Sequence, residues 1–255
     1  MLLFAACAAP KPPASLWPPS DFALTVEELR EQGGVFRVVR RCRVRADGLL
    51  VYGTATGVVV GAERAPELPV FGRLALYRLE PACVRDLSRR VDRCRVLEIE
   101  RESGAIDDPA GRQARVRWQA FRQFRELQAY GRVHGAFAEL LAIVGAHLPE
   151  GEGFELPGVA DRGQPAVVVG APAPLLDALA AFEALRSQAM RTPADAALQL
   201  DAFALACHLG LRSEAEQLLA AWSAATAASR AERALFPEGE PEWTPERLAA
   251  LLPRG

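Results

Sequence analysis

The chain has almost no lysine: of its 30 basic residues only Lys11 is not an arginine. No Walker lysine is therefore available, and no Gly-x-Gly-x-x-Gly follows an expected strand and opens a helix. Both common backbone cradles for nucleotide phosphates are excluded. Aromatic residues make up 7% of the chain and the net charge is −2, with neither the base-stacking surface nor the basic excess of a nucleic-acid binder. There are three histidines and five cysteines, and no Cys-x-x-Cys or Cys/His spacing that suggests zinc. No apolar run approaches the ~20 residues needed to span a membrane.

What is present is ordinary for a globular chain of 255 residues: half hydrophobic and about a quarter charged. The length suits one large or two small domains. The arginine preference reads as the composition of a GC-rich genome. Charge is distributed unevenly. Residues 1–150 hold 22 Lys+Arg against 18 Asp+Glu, and residues 151–255 hold 8 against 14. Halves of opposite sign predict two parts that dock electrostatically.

The first residues carry the main clue to location. Met1-Leu-Leu-Phe-Ala-Ala-Cys7 looks like the end of a bacterial lipoprotein signal: an apolar run, two small residues, then a cysteine. A Pro-rich tether follows through residue 20, and such a segment is extended and builds no core. The stretch before Cys7 is shorter than the ~7–15 apolar residues of a full signal, has no basic start, and has Phe4 where Leu, Val or Ile is usual. Two alternatives therefore stand: a true start further upstream, or a plain apolar terminus.

Beyond the tether, residues 21–148 predict an α+β domain. Asp21–Glu27 reads as a strand and Gly33-Gly34 as a turn. Val35–Arg45 alternates with period two. Phe36, Val38, Cys42 and Val44 fall on one face, interrupted by Arg40, while Arg37, Arg41, Arg43 and Arg45 fall on the other. Asp47-Gly48 between apolar runs is a hairpin signal, and residues 54–60 and 72–79 read as further strands. Pro81 opens a helix with Val84, Leu87 and Val91 as its apolar stripe. Val96–Ile99 reads as a short strand, Gln113–Leu127 as one or two strands, and Val133–Leu148 as a second helix.

Residues 149–173, dense in Gly and Pro, predict a linker, and 174–255 an all-helical domain. Helices are expected near 174–190, 194–208, 213–230 and 245–252. Thr192-Pro193 and Thr244-Pro245 read as helix starts, and Ser213-Glu-Ala-Glu216 as a capping box.

The run Phe36-Arg-Val-Val-Arg-Arg-Cys-Arg-Val-Arg-Ala-Asp47-Gly48-Leu-Leu-Val-Tyr52-Gly53 resembles a family of uncharacterised bacterial lipoprotein and secreted domains. A helix (Leu79–Val91), an Asp108-Pro109 turn, a strand (Arg115–Trp118) and a closing helix (Ala136–Val144) continue the likeness over 21–148. It implies a fold and no chemistry. Leu200–Ala221, with a Leu209-Gly210 turn and Ala215 early in the second helix, resembles one tetratricopeptide unit within about 194–228. A simple helical hairpin is the alternative, since such repeats need about three units to bury their faces.

Candidate chemistry is thin. His134 at a helix start and the alternating Glu98, Glu100 and Glu102 are the one place where a general base or an oxygen-ligated cation could be assembled, with Asp107 and Asp108 following. His147 and His208 show no triad spacing. The arginine stripe reads as an exposed strand face or as a surface that docks on the acidic half. Cys83 and Cys94 would sit ~16 Å apart across a helix, too far for a bridge. Cys42 with Cys94 is geometrically easier, and four free thiols, Cys207 included, is the simpler reading.

The expectation is thus a non-enzymatic envelope protein lipidated at Cys7, facing the periplasm or exterior, a binding or structural module with no cofactor, no metal site and no nucleic-acid partner. An envelope protein partner would meet the helical domain, and the membrane would be met only through the anchor. The alternatives are an enzyme using His134 with Glu98–Glu102, and a cytoplasmic helical adaptor if Cys7 is unprocessed.

Overall fold

The computed structural model describes residues 17–60, 68–104, 111–131, 135–149, 152–155, 173–175, 178–193, 195–233 and 244–253. Strands β1 (Ala23–Gln32), β2 (Val35–Arg45), β3 (Leu49–Val60) and β4 (Leu68–Arg78) are followed by α1 (Pro81–Arg93) and a 3-10 turn (Val96–Glu98). Next come β5 (Glu102–Gly104), β6 (Arg112–Ala120), β7 (Gln123–Tyr130), α2 (Gly135–Gly145) and β8 (Ala173–Leu175). Helices α3 (Ala178–Arg191), α4 (Ala196–His208), α5 (Arg212–Arg233) and α6 (Pro245–Ala249) complete the order. The class is α+β.

One sheet carries the molecule, in the order β5-β7-β6-β1-β2-β3-β4-β8. Every pair is antiparallel except β5 with β7. The hairpin at Asp47-Gly48 forms as its sequence predicts. Gly48 has φ +83°, and a Cβ there would lie 2.7 Å from the Leu79 carbonyl oxygen, so both conformation and space require glycine.

Strand β2 spans the expected residues, but its faces differ from a uniform alternation. Arg40 pairs with Glu28 and Val38 with Leu29, which leaves Val39 as one extra residue. A bulge of this kind exchanges the two faces of a strand. Cys42 and Val44 join the apolar cluster on the sheet's first face, whereas Val38, with Phe36 beside it, joins the cluster on the second. The expected single face containing Phe36, Val38, Cys42 and Val44 is therefore split.

On the first face, Leu24, Val26, Cys42, Val44, Leu50 and Val116 meet Val84, Leu87 and Val91 of α1 and Phe137, Leu140, Leu141 and Val144 of α2. The stripe expected on each helix is the buried one. On the second face, Leu29, Val51, Leu68, Val70 and Phe71 share a cluster with Phe182, Leu185, Leu198, Phe203, Leu205, Leu218 and Trp222. Helices 178–253 thus bury their apolar sides on the sheet as well as on one another. Residues 152–155 lie on the first face, and 173–175 form an edge strand. The rest of the expected 149–173 linker, apart from Pro149, lies outside the described residues.

Local corrections have clear causes. Val96–Glu98 is a 3-10 turn and not a strand, entered through Arg95 at φ +51°. Helix α4 is capped by Asp195, whose carboxylate accepts the Ala197 and Leu198 N–H groups. Thr192 instead donates its hydroxyl to the Gln188 carbonyl at the end of α3. Helix α5 begins at Arg212, so Ser213 lies inside it and is not its cap. Thr244 caps α6 as expected, accepting the Arg247 N–H.

Candidate functional site

Three residues of the expected arginine stripe, Arg41, Arg43 and Arg45, face helices α3 to α6, whereas Arg37, beyond the Val39 bulge and paired with Arg30, falls on the first face. Glu27 of β1, 1% exposed, is the centre of the helix-facing group. Arg41 Nε donates to Glu27 Oε1 at 2.8 Å, and Arg115 Nε of β6 donates to Oε2 at 2.6 Å. The Arg117 guanidinium lies 4.0 Å from the same carboxylate and donates to Glu126 of β7 at 2.7 Å. Register explains the gathering: Glu27 pairs across the sheet with Arg41 on one side and Arg115 on the other. Cross-strand neighbours share a face, so the carboxylate sits between two guanidiniums.

The seam then crosses to the helices. Arg41 also donates to Asp201 of α4 and stacks over the Phe71 ring at 4.6 Å. Arg43 and Arg45 donate to Asp195 Oδ2 at 3.1 and 2.7 Å, while Asp195 Oδ1 caps the helix. One carboxylate thus ends α4 and fixes it to two rungs of β2. Of the two readings of the stripe, docking on the acidic half is the one the geometry matches.

A second polar group lies on the first face, around residues 152–155. Glu28, fully buried, accepts from Arg40 at 3.0 Å, from Arg30 at 3.3 Å and from the Glu155 N–H at 2.9 Å. Arg40 reaches on to the Glu155 carboxylate at 2.5 Å, and Arg30 contacts it too. Tyr77 donates to Glu152 at 2.6 Å, and Tyr52 donates to the Gly153 carbonyl. Phe154 packs beside the Tyr52 ring. The four residues form a strap sewn to β1, β2, β3 and β4.

The electrostatics of these groups favour fixed charge over proton transfer. Burial alone would push the Glu27 carboxyl up, but Arg115, Arg41 and Arg117 outweigh it and hold the group well below the usual carboxylate range. Glu126 is held low by Arg117 against its own burial, and Glu155 by its hydrogen bonds from Arg40 and Arg30. Burial pushes the Cys42 thiol far up, Cys94 to about 11 and Cys207 to about 12. A thiol so raised is a poor nucleophile near neutral pH. All four cysteines from Cys42 onward are free.

The residues singled out from sequence are not gathered. Cys7, His134, Asp107 and Asp108 lie outside the described residues. Glu98 is exposed in the 3-10 turn and pairs with Arg95 at 3.2 Å, Glu100 is exposed beyond it, and Glu102 opens β5. The three glutamates therefore do not line one strand face. His147 is buried between the Ile143 carbonyl and the exposed Asp86 carboxylate, a link from α2 to α1. His208 is exposed at the end of α4. Among the described residues no group of three or more His, Cys, Asp or Glu could hold a metal ion, and no helix is long and apolar enough to cross a membrane.

Sequence reasoning passed over Glu27, Glu28, Asp195, Asp201 and Glu155. A signal existed for the first two: paired acids in an apolar strand are seldom buried without partners, and an arginine stripe followed two residues after the turn. No protein-family model and no curated protein matches the chain.

Proposed function

We propose that this protein is a non-enzymatic, lipid-anchored envelope protein, held at Cys7 and acting as a binding or structural module outside the cytoplasm. The observation that carries the location is the sequence Ala5-Ala6-Cys7 followed by a Pro-rich tether that leads to Trp17. The resemblance of residues 21–148 to secreted domains without known chemistry points the same way. The geometry supports the module reading: the described buried acids of the seam and strap are engaged by guanidiniums or hydroxyls, and the buried thiols are raised by desolvation. In this reading helices α3 to α6, tetratricopeptide-like around α4 and α5, are the part that meets an envelope partner.

Expression with the native upstream region and metabolic labelling with a fatty-acid analogue tests the anchor. Label is expected on the wild type and none on Cys7→Ala. An unlabelled wild type, or label that persists in the variant, overturns it.

A further inference from the structure

We propose that the tip of the β6–β7 hairpin is a second membrane contact, one that reads the anionic headgroup surface of the bilayer beside the tether. This rests on the lipid-anchor reading for its orientation, and its own test is independent of it.

The tip is conformationally unusual. Phe121 and Arg122 have φ of +54° and +60°, so both central residues of a two-residue hairpin are left-handed. Such turns ordinarily use Asn-Gly or Gly-Gly, because a bulky side chain is disfavoured there. This chain places an aromatic and a guanidinium instead and fixes them from outside. The Asp21 carboxylate accepts the Phe121 N–H at 3.0 Å and the Arg122 N–H at 2.6 Å. Trp17 packs edge-on against Phe121 with ring centroids 5.3 Å apart. Backbone strain held by surrounding contacts is a feature of working surfaces.

The strain presents a particular chemistry. Arg122, Gln123 and Phe124 are all exposed, and Phe124, at 50%, is among the largest exposed apolar side chains described. Among the described residues the Arg122 guanidinium has no ion-pair partner. At the same end, a cleft of about 220 Å³ is lined by Trp17, Pro18, Asp47, Gly48, Pro81 and Arg85. Tryptophan and other aromatics with arginine beside them suit the headgroup layer, where the ring is half wet and the cation meets lipid phosphate.

Position supplies the occupant. Nine residues separate Cys7 from Trp17, a contour of at most ~35 Å. A chain anchored at Cys7 therefore keeps this end of the sheet within ~35 Å of the bilayer, and Trp17, where the described chain begins, is in contact with Phe121 of the tip.

The experiment uses the full chain carrying Cys7→Ala, so that no acyl group contributes, and measures flotation with phosphatidylglycerol-containing vesicles and with pure phosphatidylcholine vesicles. Binding is expected only to the anionic set. Arg122→Gln should weaken it roughly fivefold and Phe124→Ser roughly tenfold, with thermal unfolding unchanged because both side chains are exposed. Arg93→Gln, a helix length away on α1, should change nothing. Absence of binding, equal binding to both lipid sets, or equal weakening by Arg93→Gln overturns the inference. If the vesicle pattern appears while Cys7 carries no label in cells, the hairpin contact stands and the anchor falls. If Cys7 is labelled and the vesicles do not bind, only the hairpin contact falls.

Discussion

On the first face of the sheet, β1, β2 and β6 present Leu24, Val26, Cys42, Val44 and Val116 to the apolar stripes of α1 and α2. On the second face the same three strands present Glu27, Arg41, Arg43, Arg115 and Arg117. That face becomes apolar toward β3 and β4, where Val51, Val70 and Phe71 share a cluster with α3 and α4, and at the far ends of β1 and β2, where Leu29 and Val38 join it. Under α1 and α2 the first face is closed by contacts that are strong but non-directional, and its directional bonds gather at the strap at 152–155 and Glu28. The second is closed partly by fork-shaped guanidinium bonds whose geometry allows few alternatives. Apolar burial therefore holds helices on both faces, while the seam dictates where α4 comes to rest.

The largest expected effect tests whether that seam is structural. Glu27→Ala leaves Arg41, Arg115 and Arg117 around an uncompensated buried site and should cost ~3–5 kcal/mol by denaturant unfolding. That is the range for deleting a buried leucine such as Leu50 on the first face, ~2–5 kcal/mol. A loss below ~1 kcal/mol for Glu27→Ala would show that the charged face contributes orientation and little stability.

A smaller effect sharpens the comparison within the charged groups. A double-mutant cycle on Arg41 and Asp201, both largely buried, should give a coupling of ~1.5–3 kcal/mol that survives salt. The same cycle on Arg212 and Glu216, each about half exposed on α5, should give less than ~0.5 kcal/mol and vanish at high salt. Equal couplings would remove the distinction between seam and surface.

The smallest effect is a dependence on pH. Glu27 has a folded-state pKa held below its unfolded value. Its contribution is complete above the ordinary glutamate pKa of ~4.3 and is lost as pH falls toward the folded value, because the unfolded chain takes up the proton first. The stability gap between wild type and Glu27→Gln should accordingly narrow by about 1 kcal/mol from pH ~4.5 to ~3.5. A gap that widens on acidification would contradict the assignment of Glu27 as the ionised centre.

Most of the strands and helices were legible from sequence because each has its own period. The stripe Val84, Leu87 and Val91 and the Asp47-Gly48 turn depend on neighbours a few residues away, and local patterns report them well. Val96–Ile99 reads as a strand because four residues, three of them apolar, are too few to show a period. The seam was only half legible. The stripe on β2 and the opposite charges of the two halves pointed to docking, but Asp195 lies about 150 residues from Arg43 and Arg45. Nothing in a local pattern states which acid meets which arginine. The split of β2 was invisible for a related reason: Val39 looks like any other strand valine until β1 is laid beside it.

Val39 makes β2 a message read in two frames. Before it, even-numbered residues such as Phe36 and Val38 belong to the helical side; after it, even-numbered Cys42 and Val44 belong to the opposite side. A strand written in one frame can slip along its neighbour by two rungs and keep its colours. This one cannot: any slip carries the change of frame away from its place between Glu28 and Leu29. The extra residue thus serves as a punctuation mark, and its deletion would be a frameshift at the level of the fold, changing no side chain's chemistry and misplacing half of them.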